Sequence, residues 1–364
     1  MRIILRAATI VALGFFLTAS ATVIAHRAAA PAAMPAAPPA DATTRIVAAA
    51  QAVLASLDEA GRAKVQFPFD GPQKTRWSNL PEPMFQRQGI LLADLTAAQR
   101  GAVTTLLTTA LSRDGYRKVT EIMGGDEVLK KQGAGLPFGP PPGAPAGGGP
   151  RGGGPVFGGD QYYLAFVGTP STTAPWMLQF GGHHLAINLT MAGSQATMAP
   201  SLPAAQPATY TIEGREIRPL GKENDKAFAL INALDAGQRQ QAILTYRVSD
   251  LVLGPGQDGR VIQPEGIRAS ALSPAQQSML VELIREWAGI PNDAYADPRM
   301  AELQANLAQT YFAWSGPTTN GSAAYFRIQG PTLVIEYAPQ RGVDHIHTIY
   351  RDPTNDYGAK YVSK

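Results

Sequence analysis

Leu95-Thr96-Ala97-Ala98-Gln99-Arg100 reads as the start of a helix. A hydrophobic residue precedes a threonine whose hydroxyl can accept from an unpaired first-turn N–H, and small residues follow. The pattern recurs as Leu57-Asp58-Glu59-Ala60-Gly61-Arg62, Leu234-Asp235-Ala236-Gly237-Gln238-Arg239 and Leu272-Ser273-Pro274-Ala275-Gln276-Gln277. Pro274 takes the first helical position, where its missing N–H is harmless. Apolar residues then recur at helical spacing, at Val103, Leu106, Leu107, Ala110 and Leu111, and at Met279, Leu280, Leu283, Ile284 and Trp287. The recurrence is read as architecture rather than as a repeated binding module.

Strand-like runs fill the intervals: Gln161 to Val167, Trp176 to Phe180, His184 to Thr190, then Tyr325 to Ile328 and Leu333 to Tyr337 around the turn Gln329-Gly330-Pro331-Thr332. Helices and strands do not alternate regularly, so the expected class is α+β, with a mixed or antiparallel sheet packed by several capped helices. One domain is expected over residues 43–364, its sheet gathering the strands that carry two histidine pairs.

Two stretches cannot build a core. Residues 26–42 are almost entirely Ala and Pro, the composition of a linker. Gly133 to Gly159 is dominated by Gly and Pro and is expected to be a flexible insertion, since its few apolar residues cannot offset the entropy of ordering it. Ahead of both, residues 1–25 read as a signal peptide. Arg2 and Arg6 precede an uncharged stretch from Ala7 to Ala25 that ends in small residues suited to cleavage. The expected location is therefore periplasmic or extracellular, with membrane attachment only through an uncleaved leader.

Composition removes several classes. With no cysteine there is no disulfide framework, thiolate metal site or cysteine nucleophile. A net charge of +3 without a basic run interleaved with aromatics leaves nucleic-acid binding unsupported. G-x-S-x-G, Walker A and H-E-x-x-H motifs are absent. Gly254-Pro255-Gly256-Gln257-Asp258-Gly259 matches G-x-G-x-x-G, but Pro264 follows where a dinucleotide site needs a helix, so it reads as a turn.

The chemistry points to histidine. The chain has five histidines, and four of them form Gly182-His183-His184 and His345-Ile346-His347. On a strand His345 and His347 share a face, and one imidazole from a neighbouring strand completes a three-histidine set for zinc or copper. His184, His345 and His347 are the expected ligands, with His183 as a fourth ligand or structural partner. If the first pair continues into a strand, His183 lies on the core face with Leu185 and Ile187. His184 then lies on the polar face with Ala186 and Asn188. Met177, Met191 and Met198 would suit copper(I), although methionine usually fills cores. Arg327, Arg351 and Asp352 are further candidates, as anion-binding or orienting groups, the last two within a run that reads equally as turns. Glu336 is a carboxylate ligand, a base or, more simply, an exposed hairpin residue.

Several blocks resemble the domain-of-unknown-function family numbered 3500. They are Arg76-Trp77 with Asn79-Leu80-Pro81, Arg87-Gln88-Gly89, Gly181-Gly182-His183-His184 with Asn188, Phe312-Ala313-Trp314 with Gly316, Tyr325-Phe326-Arg327-Ile328, and His345-Ile346-His347 through Arg351-Asp352 to Asn355-Asp356-Tyr357-Gly358. The resemblance runs from about Ile46 to Val362 and implies one exported folding unit, without naming an activity. Ala324-Tyr325 replaces a His-Tyr of the family, and Ala338-Pro339-Gln340 replaces its Asp-Asn-x-Gln, so any ligand at position 324 is lost here.

Three functional classes follow. The first is an exported protein binding a transition metal ion, zinc or copper, as a metal-dependent hydrolase or oxidoreductase. The second is a metal-free hydrolase or lyase with a histidine base and an arginine anion site. The third is a non-catalytic envelope scaffold with Trp77, Trp176, Trp287 and Trp314 lining a groove. The partner is a small-molecule or envelope ligand in each case.

Overall fold

The recurrent helix-start pattern is built as the chain implies. The side chains of Asp58, Thr96, Asp235 and Ser273 each accept from the backbone N–H three residues on. Gln99, Gln238 and Gln276 return the bond to the cap residue's own N–H, closing three capping boxes. The sixth residue of every copy folds back onto the carbonyl of its leading leucine: Arg62 on Leu57, Arg100 on Leu95, Arg239 on Leu234 and Gln277 on Leu272. A helix start and the end of the preceding element are thus tied in one six-residue knot.

The computed structural model describes residues 38–132 and 155–362. The expected signal peptide, most of the expected linker and residues 133–154 of the insertion lie outside the described residues. The described residues form one compact unit. Its first half runs α1 (Pro39–Ser56), α2 (Glu59–Val65), β1 (Gln66–Phe67), β2 (Ile90–Leu91), α3 (Ala97–Ala110), α4 (Arg113–Lys131), β3 (Tyr163–Val167), β4 (Trp176–Gly182), β5 (Leu185–Ala192) and β6 (Gln195–Thr197). A connecting stretch holds β7 (Leu202–Pro203), β8 (Tyr210–Ile212) and β9 (Arg215–Ile217). The second half runs α5 (Gly221–Ala233), α6 (Ala236–Ala242), β10 (Ile267–Arg268), α7 (Pro274–Ala288), α8 (Asp293–Ala305), β11 (Tyr311–Ser315), β12 (Tyr325–Gly330), β13 (Leu333–Pro339) and β14 (Ile346–Arg351).

The class is α+β, with mixed and antiparallel pairing. The expectation of one sheet is corrected. A seven-stranded sheet carries the first histidine pair, and a five-stranded sheet carries the second. Segment Ser201–Ala205 bridges them, with Leu202 and Pro203 paired to β5 and Ser201 and Ala205 paired to Tyr350 and Ile346 of β14.

The two halves repeat one another. In β3–β4 the register is Tyr163 opposite Gly181 and Val167 opposite Met177; in β11–β12 it is Tyr311 opposite Gln329 and Ser315 opposite Tyr325. Gln179 opposes Asn188 across β4–β5, as Arg327 opposes Glu336 across β12–β13. Gly89 and Gly266 precede matching short strands at φ 120° and 94°. A Cβ on Gly89 would stand 2.5 Å from the Leu164 carbonyl oxygen, and one on Gly266 2.2 Å from that of Phe312. Leu164 and Phe312 hold the same register position, opposite Ile90 and Ile267. In each half the helices pack together, α1 on α3 and α5 on α7, and a long loop is bonded to a sheet side chain, Gln73 to Gln179 in the first half and Val252 and Leu253 to Glu336 in the second. The Gly/Pro-rich insertion accounts for most of the difference in length.

Two expectations about low-complexity sequence are revised. Residues 39–42 belong to α1 rather than to the linker, because Pro39 suits the first turn and Ala42 and Thr43 are buried. Residues 155–159, the end of the expected flexible insertion, are packed: Val156 bonds to the Glu82 carbonyl and Phe157 is buried. Gly159 N–H also donates to the Glu127 carboxylate, so ring burial and hydrogen bonds together hold that end.

Candidate metal centre

His183 and His184 do not begin a strand. They are the two-residue turn of the β4–β5 hairpin, with His184 at φ 59° in the left-handed region. The expected split of the two rings onto opposite faces is therefore corrected, and they lie against each other, centroids 3.6 Å apart. The turn is tight because Gly182 lets Tyr162 in: a Cβ there would stand 2.7 Å from the tyrosine ring. The backbone of His184 is held at both ends, its N–H donating to the Asn79 carbonyl at 3.2 Å and its carbonyl accepting from Ala204 N–H at 2.8 Å. One Arg87 nitrogen donates to the carbonyls of Ser78, Leu80 and Gly182, each at 2.7 Å, clamping the loop to the hairpin.

The second pair arrives from the other half, His347 on β14 and His345 just ahead of it. The Nε2 atoms converge, 2.8 Å between His184 and His345 and 2.9 Å between His345 and His347. No protonation pattern suits this. A central Nε2 can donate one linear bond or accept one, but cannot serve two neighbours well. Burial and the surrounding imidazoles hold His184 far below the usual histidine range, and burial with the His347 ring pulls His345 down to about 3. Both rings are thus neutral, the form that binds metal. The three ligand atoms lie within 4.8 Å of one another, so these rings can hold one ion after small adjustments.

Two loops steady His347. Its Nε2 lies 3.1 Å from Asn79 Nδ2 of the first half's loop, and its Nδ1 3.3 Å from Asp250 Oδ1 of the second half's loop. Asp250 also accepts from Gln340 Nε2 at 2.7 Å. This is the carboxylate–histidine pairing that orients a ligating ring. His183 faces the other way: its Nδ1 is 2.6 Å from Asp126 Oδ1 of α4, and Tyr162 O–H donates to Asp126 Oδ2 at 2.8 Å. His183 therefore groups with Asp126 and His184, apart from His345 and His347.

The remaining candidates are engaged elsewhere. Arg327 is buried against Glu265 at 2.7 Å. Arg351 donates to the carbonyls of Leu253 and Gly254 and pairs with Asp258 and Asp356, a clamp on the turn that resembled a nucleotide loop. Asp352 caps Thr354 and pairs with Arg299 at 3.2 Å, the turn-forming role. Glu336 is fully buried rather than exposed, accepting from the N–H groups of Val252 and Leu253 and from Tyr325. Met177, Met191 and Met198 fill hydrophobic clusters, and Trp77, Trp176, Trp287 and Trp314 are all buried.

Three contributors escaped the sequence reading of the residues. Asn79 stood only within a family-like block, and Asp250 follows nothing that marks it. Asp126 had a signal nearby: the Gly124-Gly125 pair inside a helix, where glycine costs about 1 kcal/mol against alanine and so marks a close approach. Gly124 indeed abuts the Tyr210 hydroxyl, 2.6 Å from where a Cβ would stand.

No helix among the described residues is long and apolar enough to cross a membrane. No curated protein and no solved structure matches the chain. The family model described as a protein of unknown function (DUF3500) matches residues 39–359. The chain belongs to that family.

Proposed function

We propose that this is an exported protein that binds a transition metal ion, zinc or copper, through His184, His345 and His347. The observation that carries the reading is the meeting of three imidazole Nε2 atoms contributed by both halves of the fold. Such a cluster leaves lone pairs opposed in the metal-free protein, and an ion turns them all to use. The set contains no thiolate, so zinc and copper(II) are the natural occupants. His345 and His347 keep some exposure while His184 is buried, so a three-histidine ion would have its remaining position toward the open side. There it can activate water or hold a small ligand, the chemistry of a metal-dependent hydrolase or oxidoreductase. The export reading rests on Arg2, Arg6 and the apolar run to Ala25.

A metal-free histidine base served by Arg327 or Arg351 is the weaker alternative, because both guanidinium groups are committed to carboxylates or carbonyls. The test is elemental analysis and calorimetric titration with zinc and copper(II) on untagged full-length chain. Stoichiometric binding in the wild type, lost in His184→Ala and weakened at least tenfold in His347→Gln, is expected. A chain that takes up neither metal overturns the proposal.

A further inference from the structure

Asp126, His183 and His184 form a second group whose ligand atoms lie within 4.8 Å of one another, and all three are buried. We propose that His184 bridges two metal ions. Its Nε2 serves the three-histidine position, and its Nδ1 serves a second, buried position completed by Asp126 and His183. The inference rests on the proposed metal centre and extends it.

Three independent observations support the second position. His184 Nδ1 is buried and has no hydrogen-bond partner among the described residues, although the ring's other nitrogen is engaged. A buried imidazole nitrogen without a protein partner is an unusual feature of a folded chain. Asp126 is 1% exposed, and its only ion-pair partner among the described residues is His183. A buried carboxylate requires a compensating charge, and a divalent cation would supply it. Finally, the group is braced. Tyr162 holds Asp126 Oδ2 and the His183 carbonyl, leaving Oδ1 directed at His183. Phe157 closes the far side, its ring centroid 4.9 Å from that of His183.

One carboxylate and two imidazoles, with no thiolate, again suit zinc or copper(II). A ring coordinated through both nitrogens carries no N–H. Entry of the second ion therefore releases one proton from His184 to solvent, the proton held between His183 Nδ1 and Asp126 Oδ1 shifts to the other nitrogen of the His183 ring, and the ion's charge balances both Asp126 and the deprotonated His184. All three ligands of the second position are buried, so it serves the outer position. Its effect is to hold His184 in place and alter the electron density that ring gives the outer ion.

Loading untagged full-length chain with zinc, followed by desalting and elemental analysis, tests this directly. Two ions per chain are expected for the wild type, one for Asp126→Asn and for His183→Gln, and none for His184→Ala. One ion in the wild type, unchanged by Asp126→Asn, overturns the bridge and leaves the single-ion centre standing. No ion in the wild type overturns both. A second measurement needs no variant. In chain loaded with two copper(II) ions, imidazolate bridging couples the spins, so the low-temperature paramagnetic signal should fall well below two independent spins. Two full, uncoupled spins overturn the bridge.

Discussion

At the scale of single residues, a few backbone positions decide where the side chains can go. Gly266 sits at φ 94°, with the Phe312 carbonyl oxygen 2.2 Å from the place of a Cβ. Gly266→Ala combines a forbidden conformation with a backbone clash and should cost at least about 2 kcal/mol. Gly193→Ala is the control: φ is 58°, nothing stands near, and the cost should be about 1 kcal/mol. Urea titration of both variants compares them, and equal losses would remove the claim that close approach matters at Gly266. His184 shows the same logic in a functional residue. A histidine is held in the left-handed region because Asn79, Ala204 and the clamp from Arg87 leave the turn little freedom.

At the scale of elements, the six-residue helix start is the recurring device, and in the second half its two copies interlock. Gln276 Nε2 donates to the Ala233 carbonyl at the end of α5 and to Gln238 Oε1, while Gln238 Nε2 donates to the Ala271 carbonyl and to Gln276 Oε1. In the first half Gln99 Nε2 reaches the Ser56 carbonyl at the end of α1, but Gly61 stands where Gln238 would. Ser273→Ala removes a single cap bond and should cost about 1 kcal/mol. Gln276→Ala strips the cap return and three cross-linking bonds from a nearly buried position, and a loss of about 1–3 kcal/mol is expected. If the two variants melt alike under denaturant, the cross-links contribute nothing and the caps act alone.

At the scale of the whole molecule, the centre exists because two similar halves meet, and buried contacts hold that meeting in register. Lys118 of α4 pairs with Glu223 of α5, and Glu286 of α7 lies 3.7 Å from the same ammonium. Lys118 and Glu223 are both buried, so Lys118→Met leaves a carboxylate uncompensated and should cost about 3–5 kcal/mol. Lys118→Met with Glu223→Leu should recover most of that loss, as measured by chemical denaturation. A double variant as unstable as the single one would show that packing, rather than the stranded charge, is responsible. Because the metal ligands come from both halves, an ion should also stabilise their union. Free zinc at a hundredfold excess over Kd adds about 2.7 kcal/mol per site. A rise of several degrees in melting temperature, reversed by chelator and absent in His184→Ala, is the expected result.

The helix starts, the α+β class and the pairing of histidines were legible in the sequence because each depends on neighbours along the chain. Asp58, Thr96, Asp235 and Ser273 cap whatever follows them, and H-x-H places two imidazoles on one face of any strand. The duplication showed only as recurring helix starts, since matching registers such as Gln179–Asn188 and Arg327–Glu336 have no sequence identity to reveal them. Which partners each histidine keeps was decided by tertiary structure. A hairpin turn, rather than a strand, sets the direction of His183 and His184, and Asp126, Asn79 and Asp250 reach them from a helix and two loops far away in sequence. The arginines illustrate the converse. Arg327 and Arg351 lie on strands near the second pair, but carboxylates and carbonyls claim them, and such long-range partners leave no local pattern to read.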